Sequence, residues 1–229
     1  MPNFDIIKES AYKKTFRNES IKGQFDLSIK TIIEKFNGNI DIDGKEWAIG
    51  LIVGSSGSGK STIAKQVFGE NYIKEFNYGS ESVLDEMSKN KSTEQITKIF
   101  NSVGFATVWS WLKPYNVLSN GEKMRVDLAN AILSDKEIIV FDEFTSVVDR
   151  TIAKTASYSI QKTVRKLQKK FVAVSCHYDI VEWLEPDWIY DTDKKEFFFA
   201  LENTKGQKLK LKLDIVQQKI GTYLSDFTI

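Results

Sequence analysis

Gly54-Ser55-Ser56-Gly57-Ser58-Gly59-Lys60-Ser61-Thr62 lies between Ile49-Gly50-Leu51-Ile52-Val53 and Ile63-Ala64-Lys65-Gln66-Val67-Phe68. The order predicts a buried strand, a glycine-rich turn and a helix. In that setting G-x-x-x-x-G-K-[ST] is a phosphate-binding loop. Glycines let the backbone curl with its N–H groups pointing inward, and a helix N-terminus adds partial positive charge. In such a loop Lys60 reaches the β- and γ-phosphates, and the Ser61 hydroxyl ligates Mg2+. A Ser/Gly-rich surface loop could match by chance, but the strand before it and the helix after it speak against that. The chain is expected to bind a nucleoside triphosphate.

Composition agrees with one α/β domain. The 229 residues suffice for a full core, and 41% hydrophobic with 28% charged residues is ordinary for a soluble globular protein. A net charge of +1 provides no global field toward nucleic acid or an acidic membrane. No apolar run approaches the length of a bilayer span, and no signal-peptide pattern opens the chain. The single cysteine, Cys176, excludes an intrachain disulfide framework and suits a reducing compartment. A cytoplasmic location is expected.

Residues 1–48 read as mixed strand and turn. Loose alternation over Ser20–Leu27 and over Asn39–Asp43 predicts a small antiparallel sheet beside the nucleotide. Phe25 and Phe36 are the aromatic residues there that could stack on adenine, against the commoner use of such rings as core. Beyond Gly69, Tyr72–Phe76 reads as a second strand. Ser92 and Gln95 form a capping box for a helix with Ile96, Ile99, Phe100 and Val103 on one face, ending at Gly104. Trp109 and Trp111 are expected to pack inside a small helical lobe, with a partner surface as the alternative.

A second stretch, Leu118-Ser119-Asn120-Gly121-Glu122-Lys123-Met124-Arg125-Val126, would by itself be only another capped helix. It is followed by Ile138-Ile139-Val140-Phe141-Asp142-Glu143, four apolar residues ending in two carboxylates. That predicts a buried parallel strand with acids at its C-terminal tip, the edge where open α/β sheets bind ligands. Asp142 then holds Mg2+, and Glu143 orients and deprotonates an attacking water.

Together these stretches resemble the ATP-binding cassette ATPases. Gly54–Thr62 matches the Walker A motif, Leu118–Glu122 the signature motif, and Ile138–Glu143 Walker B with its catalytic glutamate. Ser146-Val147-Val148-Asp149 is similar to the D-loop, and Phe171–His177 to the strand carrying the switch histidine. The resemblance spans roughly residues 40–190. It implies a P-loop NTPase fold: a RecA-like, mostly parallel sheet, an N-terminal antiparallel β-subdomain and a reduced α-helical subdomain. It also implies ATP and Mg2+ as ligands and a head-to-tail homodimer. Ser119, Asn120, Gly121 and Glu122 would face the partner's γ-phosphate, with Asp149 between the two sites. His177, the chain's single histidine, would bond the γ-phosphate and the attacking water.

Three departures from the family pattern stand out. Asn120 replaces a glycine. Glu122 replaces a glutamine and brings negative charge toward the incoming phosphate. The glutamine that links the metal site to a partner is missing, leaving Asn77 or Ser80 as substitutes. The expected division is 1–48 antiparallel part, 49–76 and 134–190 ATP-binding core, 77–133 helical lobe, and 191–229 β-hairpin and tail. That hairpin pairs 196–201 with the strictly alternating run 208–215.

What the cycle drives is left to a protein or nucleic-acid partner. The short span between Lys60 and Ser119 favours a compact ATPase not linked to a transporter. A transporter's nucleotide-binding subunit and a dimerisation switch with little turnover are the rivals, and a P-loop kinase ranks last. The cluster Lys162, Arg165, Lys166, Lys169 and Lys170 is expected to be a solvated helix face rather than a nucleic-acid contact.

Overall fold

The computed structural model describes residues 3–28 and 31–199 of the chain. Strand β1 (Asn3–Ala11), helix α1 (Phe16–Gln24) and strand β2 (Thr31–Asn39) come first. β1 and β2 pair antiparallel, with Ile6 opposite Phe36 and Lys8 opposite Glu34. The strand predicted over 20–27 is instead the second half of α1 and the turn after it. The Thr15 side chain caps that helix by accepting from the Asn18 amide at 3.2 Å, and this local bond outweighs a loose alternation. Of 39–43 only Asn39 is in a strand. Ile40 and Ile42 are buried as the alternation implies, but from irregular chain.

The chain then forms β3 (Ile49–Val53), α2 (Lys60–Phe68), β4 (Tyr72–Ile73), α3 (Thr93–Ser102), α4 (Val108–Trp111), α5 (Asn120–Leu133) and β5 (Ile138–Phe141). After these come α6 (Arg150–Leu167), β6 (Lys170–Ser175), α7 (Ile180–Leu184), β7 (Trp188–Asp191) and β8 (Glu196–Phe199). The larger sheet runs β4-β5-β6-β3-β7-β8. Its first five strands are parallel, and β8 lies antiparallel to β7. The strand predicted over 72–76 pairs with β5 only at Tyr72 and Ile73. β8 makes its hairpin with β7, and the predicted partner run 208–215 lies outside the described residues.

β3 sits between β6 and β7 with every residue buried, which explains its unbroken apolar sequence. One face of the sheet packs against α5, α6 and the smaller helices through Leu128, Ile132, Phe144, Ile160 and Phe171. The other face packs against α2 and the β1–β2 ribbon through Phe4, Ile63, Phe68, Trp188 and Tyr190. Three layers result, with the C-terminal ends of the parallel strands at one edge.

Both predicted capping boxes are present, Ser92 with Gln95 and Ser119 with Glu122. The two tryptophans behave differently from one another. Trp111 is buried at 8% exposure and its indole N–H donates to the Phe105 carbonyl at 2.8 Å. Trp109 is 78% exposed, because α4 is a single turn and residues two apart on it point to opposite sides. Among the described residues no helix is long and apolar enough to cross a membrane.

Candidate functional site

A cavity of about 450 Å³ opens at the C-terminal edge of the sheet. Ser56, Gly57, Gly59, Lys60, Ser61 and Thr62 line it from the loop between β3 and α2. Asp142, Glu143 and Ser146 reach it from the end of β5, and Val174, Ser175 and Cys176 from the end of β6. Lys8, Glu34 and Phe36 close it from the β1–β2 ribbon. Strands distant in sequence deliver these groups to one place because parallel strands all end at the same edge.

The loop is held from behind. The Ser55 amide and hydroxyl both donate to the Asp193 carboxylate at 2.7 Å, and Ser58 Oγ meets Thr192 Oγ1 at 2.6 Å. Lys60 Nζ donates to the Ser55 carbonyl at 2.6 Å, so the lysine lies folded over its own loop. Gly59 has φ +87° and a Cβ there would stand 2.3 Å from the Phe36 ring, so both backbone and space demand glycine. Phe36 therefore rests on the loop, whereas Phe25 is exposed and does not line the cavity.

At the acidic end, Asp142 is buried at the tip of β5. Its Oδ1 accepts the Glu143 amide at 2.9 Å and its Oδ2 accepts the Tyr72 hydroxyl. Burial first, and then the bond to Asp142, push the Tyr72 phenol far above its ordinary range, so it stays protonated. Glu143 and Thr145 adopt φ +51° and +67°, an uncommon region for residues with side chains. The Phe144 amide between them donates to the Val174 carbonyl at 2.8 Å, and its ring is fully buried. That anchor holds the sharp turn that presents Glu143 to the cavity. A buried carboxylate and the Ser61 hydroxyl are hard oxygen donors. This is a donor set suited to Mg2+, which takes one or two protein oxygens and completes its shell with water and phosphate.

The Ser119 segment does not line this cavity. Glu122 is turned back onto its own helix start, where Ser110 Oγ, Ser119 Oγ and the Ser119 amide donate to it at 2.6, 2.8 and 3.0 Å. These bonds, the one from Ser110 first, hold its carboxyl below the ordinary carboxylate range. Asn120 is the first helical residue with an ordinary φ, so no unusual backbone angle is needed there. A Cβ on Gly121 would come within 2.9 Å of the Cδ1 tip of Ile152, so α5 and α6 lie close together there. Asp149 caps α6, accepting from the Thr151 and Ile152 amides at 2.9 and 3.0 Å. His177 follows the lining residue Cys176, and its amide donates to Ser175 Oγ at 3.2 Å. Asn77 and Ser80 are exposed and do not line the cavity.

Sequence reasoning did not find Tyr72, Asp193, Thr192 or Lys8. The turn Asp191-Thr192-Asp193 carried one usable signal, a cluster of short polar side chains at a strand end. Of the basic cluster around α6, Lys169 Nζ donates to the carbonyls of Ile132, Ser134 and Lys136. Arg165 pairs with Asp187, and Lys170 lies over the Trp47 ring. Much of that charge is committed to holding the fold.

A family model described as ABC transporter matches residues 38–146. The chain is 27% identical to the energy-coupling factor transporter ATP-binding protein EcfA1 of Staphylococcus aureus, covering 78% of this chain and 77% of that protein. Among solved structures, the dimeric bacterial ABC transporter cassette MJ0796 shares the fold with a TM-score of 0.57 at 17% identity, covering 86% of this chain and 99% of that one. The same cassette with bound ADP and Pi, in a post-hydrolysis state, gives 0.58 at 15% identity over the same shares. Clostridium perfringens cbiO1, part of the ABC transporter complex cbiONQ, gives 0.56 at 16% identity, covering 86% of this chain and 92% of that one.

Proposed function

We propose that the chain is an ATP-binding cassette ATPase, and from that premise that it binds and hydrolyses Mg2+-ATP as a head-to-tail homodimer in the cytoplasm. The observation that carries this reading is one cavity holding the glycine-rich loop with Lys60 and Ser61 alongside Asp142 and Glu143. The Ser119 helix start lies outside it. A single protomer thus holds a phosphate loop and, separately, a capped helix N-terminus suited to a phosphate from elsewhere.

Lys60 leaves the Ser55 carbonyl to engage the β- and γ-phosphates, and the amides of residues 54–62 receive the phosphate oxygens. Ser61 and Asp142 would hold Mg2+, which would neutralise charge building on the phosphates. Glu143 orients and deprotonates the attacking water, and His177 bonds the γ-phosphate beside it. Phe36, which rests on Gly59 and lines the cavity, would stack on adenine. Ser119, Asn120, Gly121 and Glu122 of one protomer complete the other's site, and Asp149 couples the two. Residues 1–48 then serve as the base-binding part, 49–76 and 134–190 as the catalytic core, and 77–133 as the coupling lobe.

The Glu143→Gln protein should bind ATP, dimerise stably and hydrolyse little. Light scattering that finds it monomeric at saturating ATP overturns the scheme.

The partner is a protein. Val108, Trp109, Leu112 and Val117 leave apolar surface on the helical lobe, and three of the five basic residues near α6 are engaged within the fold. The relatives' description as transporter ATP-binding proteins favours a membrane permease at that lobe. The short lobe favours a partner outside transport. Capture on immobilised Glu143→Gln protein with ATP separates the two, and phosphate release stimulated by DNA overturns both.

A further inference from the structure

Tyr72 has no role in the reading above, yet it bonds Asp142, one of the two residues assigned to the metal. It pairs with Val140 across the parallel β4–β5 ladder, so its side chain emerges on the same face as Val140 and, two residues on, Asp142. The ring packs against the cluster that contains Val140 and the α2 residues Ile63, Ala64 and Phe68. From there the hydroxyl reaches forward to donate to Asp142 Oδ2. The backbone beneath is pinned as well, because the Asp142 amide donates to the Ile73 carbonyl at 3.1 Å.

We propose that Tyr72 is a positioning residue of the metal site, its phenol holding the Asp142 carboxylate in one orientation toward the cation. The proposal rests on the nucleotide-binding reading above and adds a residue to it. Asp142 Oδ1 is fixed by the Glu143 amide and Oδ2 by Tyr72, which sets the carboxylate plane before any ligand arrives. Asn77 or Ser80, in the segment after β4, was expected to replace the glutamine that links the metal site to a partner. Those residues are exposed and do not line the cavity, whereas Tyr72, in β4 itself, bonds the lining residue Asp142. Residues that hold metal ligands from behind set metal affinity without coordinating the ion.

The test measures Mn2+, in place of Mg2+, binding to the ATP-loaded Glu143→Gln protein by electron paramagnetic resonance, with and without Tyr72→Phe. The phenylalanine keeps the ring that packs on Val140 and removes only the hydroxyl. Mn2+ affinity should fall by about tenfold or more, while ATP affinity in EDTA changes less than about twofold. Unchanged Mn2+ affinity overturns the proposal. Tighter Mn2+ binding overturns it too, since the phenol would then be blocking the cation. If Glu143→Gln protein with Tyr72 intact binds no ATP, the nucleotide reading fails and this one with it; ATP binding with an indifferent Tyr72→Phe sinks this one alone. Should the variant not fold, the unmodified protein still answers: Mg2+ added to its ATP-loaded form must produce a tyrosine difference band in the near ultraviolet, and a flat spectrum counts against Tyr72.

Discussion

Asp193 is a residue whose importance only the folded chain reveals. Its carboxylate holds the Ser55 amide and hydroxyl, and Tyr178 donates to it at 3.2 Å. Bonds to a charged acceptor are worth about 1.5–3 kcal/mol each, so the loop's resting shape depends on this side chain. Asp193→Ala should weaken ATP binding by roughly tenfold, close to 1.4 kcal/mol, as read by titration calorimetry. Glu122 is the second case. Its charge is bonded inward by Ser110 and Ser119, yet it remains at the helix start that would meet a partner's phosphate. Glu122→Gln keeps an oxygen for those donors and removes the like charge. ATP-dependent dimer affinity should rise by at least about tenfold, measured by analytical ultracentrifugation in the Glu143→Gln background. The loop Gly54–Thr62 and the acids at 142 and 143 were legible in the sequence because their chemistry is local and their spacing is short. Asp193 and Tyr72 were not, since each meets its partner across a long stretch of chain.

Among the elements, those stopped and started by local bonds were the readable ones. α3 and α5 begin at capping boxes visible as Ser-x-x-Gln and Ser-x-x-Glu, and β5 shows as an apolar run of the right length. Helix α1 was misread as strand because its cap, Thr15, lies upstream of the alternating residues and none of its own residues is buried. β4 shrinks to two residues because the chain leaves the ladder after Ile73. The single-turn helix α4 offers a direct test of its two tryptophans. Trp111 packs on Phe100 with ring centres 5.7 Å apart and donates to Phe105, so Trp111→Ala should cost about 3–5 kcal/mol. Trp109→Ala should change stability by less than about 0.5 kcal/mol. Urea midpoints of the two variants check both, and a large loss at Trp109 contradicts the exposure given to it.

For the whole molecule, the separation between the phosphate loop and the Ser119 helix start is the consequential feature. In a head-to-tail dimer each site takes its loop from one protomer and its capped helix from the other. A Lys60→Ala protein and a Ser119→Arg protein should each be inactive alone. Mixed in equal amounts with ATP, they should regain phosphate release through the composite site that has Lys60 from one and Ser119 from the other. Recovery should approach a quarter of the unmodified rate, since roughly half the dimers are mixed and each carries one good site. Mixtures as inactive as their parts would refute the shared-site arrangement.

The sequence by itself determined the phosphate loop, the paired acids after an apolar strand, the capped helix between them and the order in which they occur. Each is encoded by neighbouring residues through backbone freedom, capping or burial. Only the tertiary structure decided that β3 lies between β6 and β7, that Phe36 rather than Phe25 rests on Gly59, and that Tyr72 and Asp193 brace the loop and the acids. Those pairings arise from strand order and register, which depend on how whole faces bury one another and leave little trace in any short stretch of sequence.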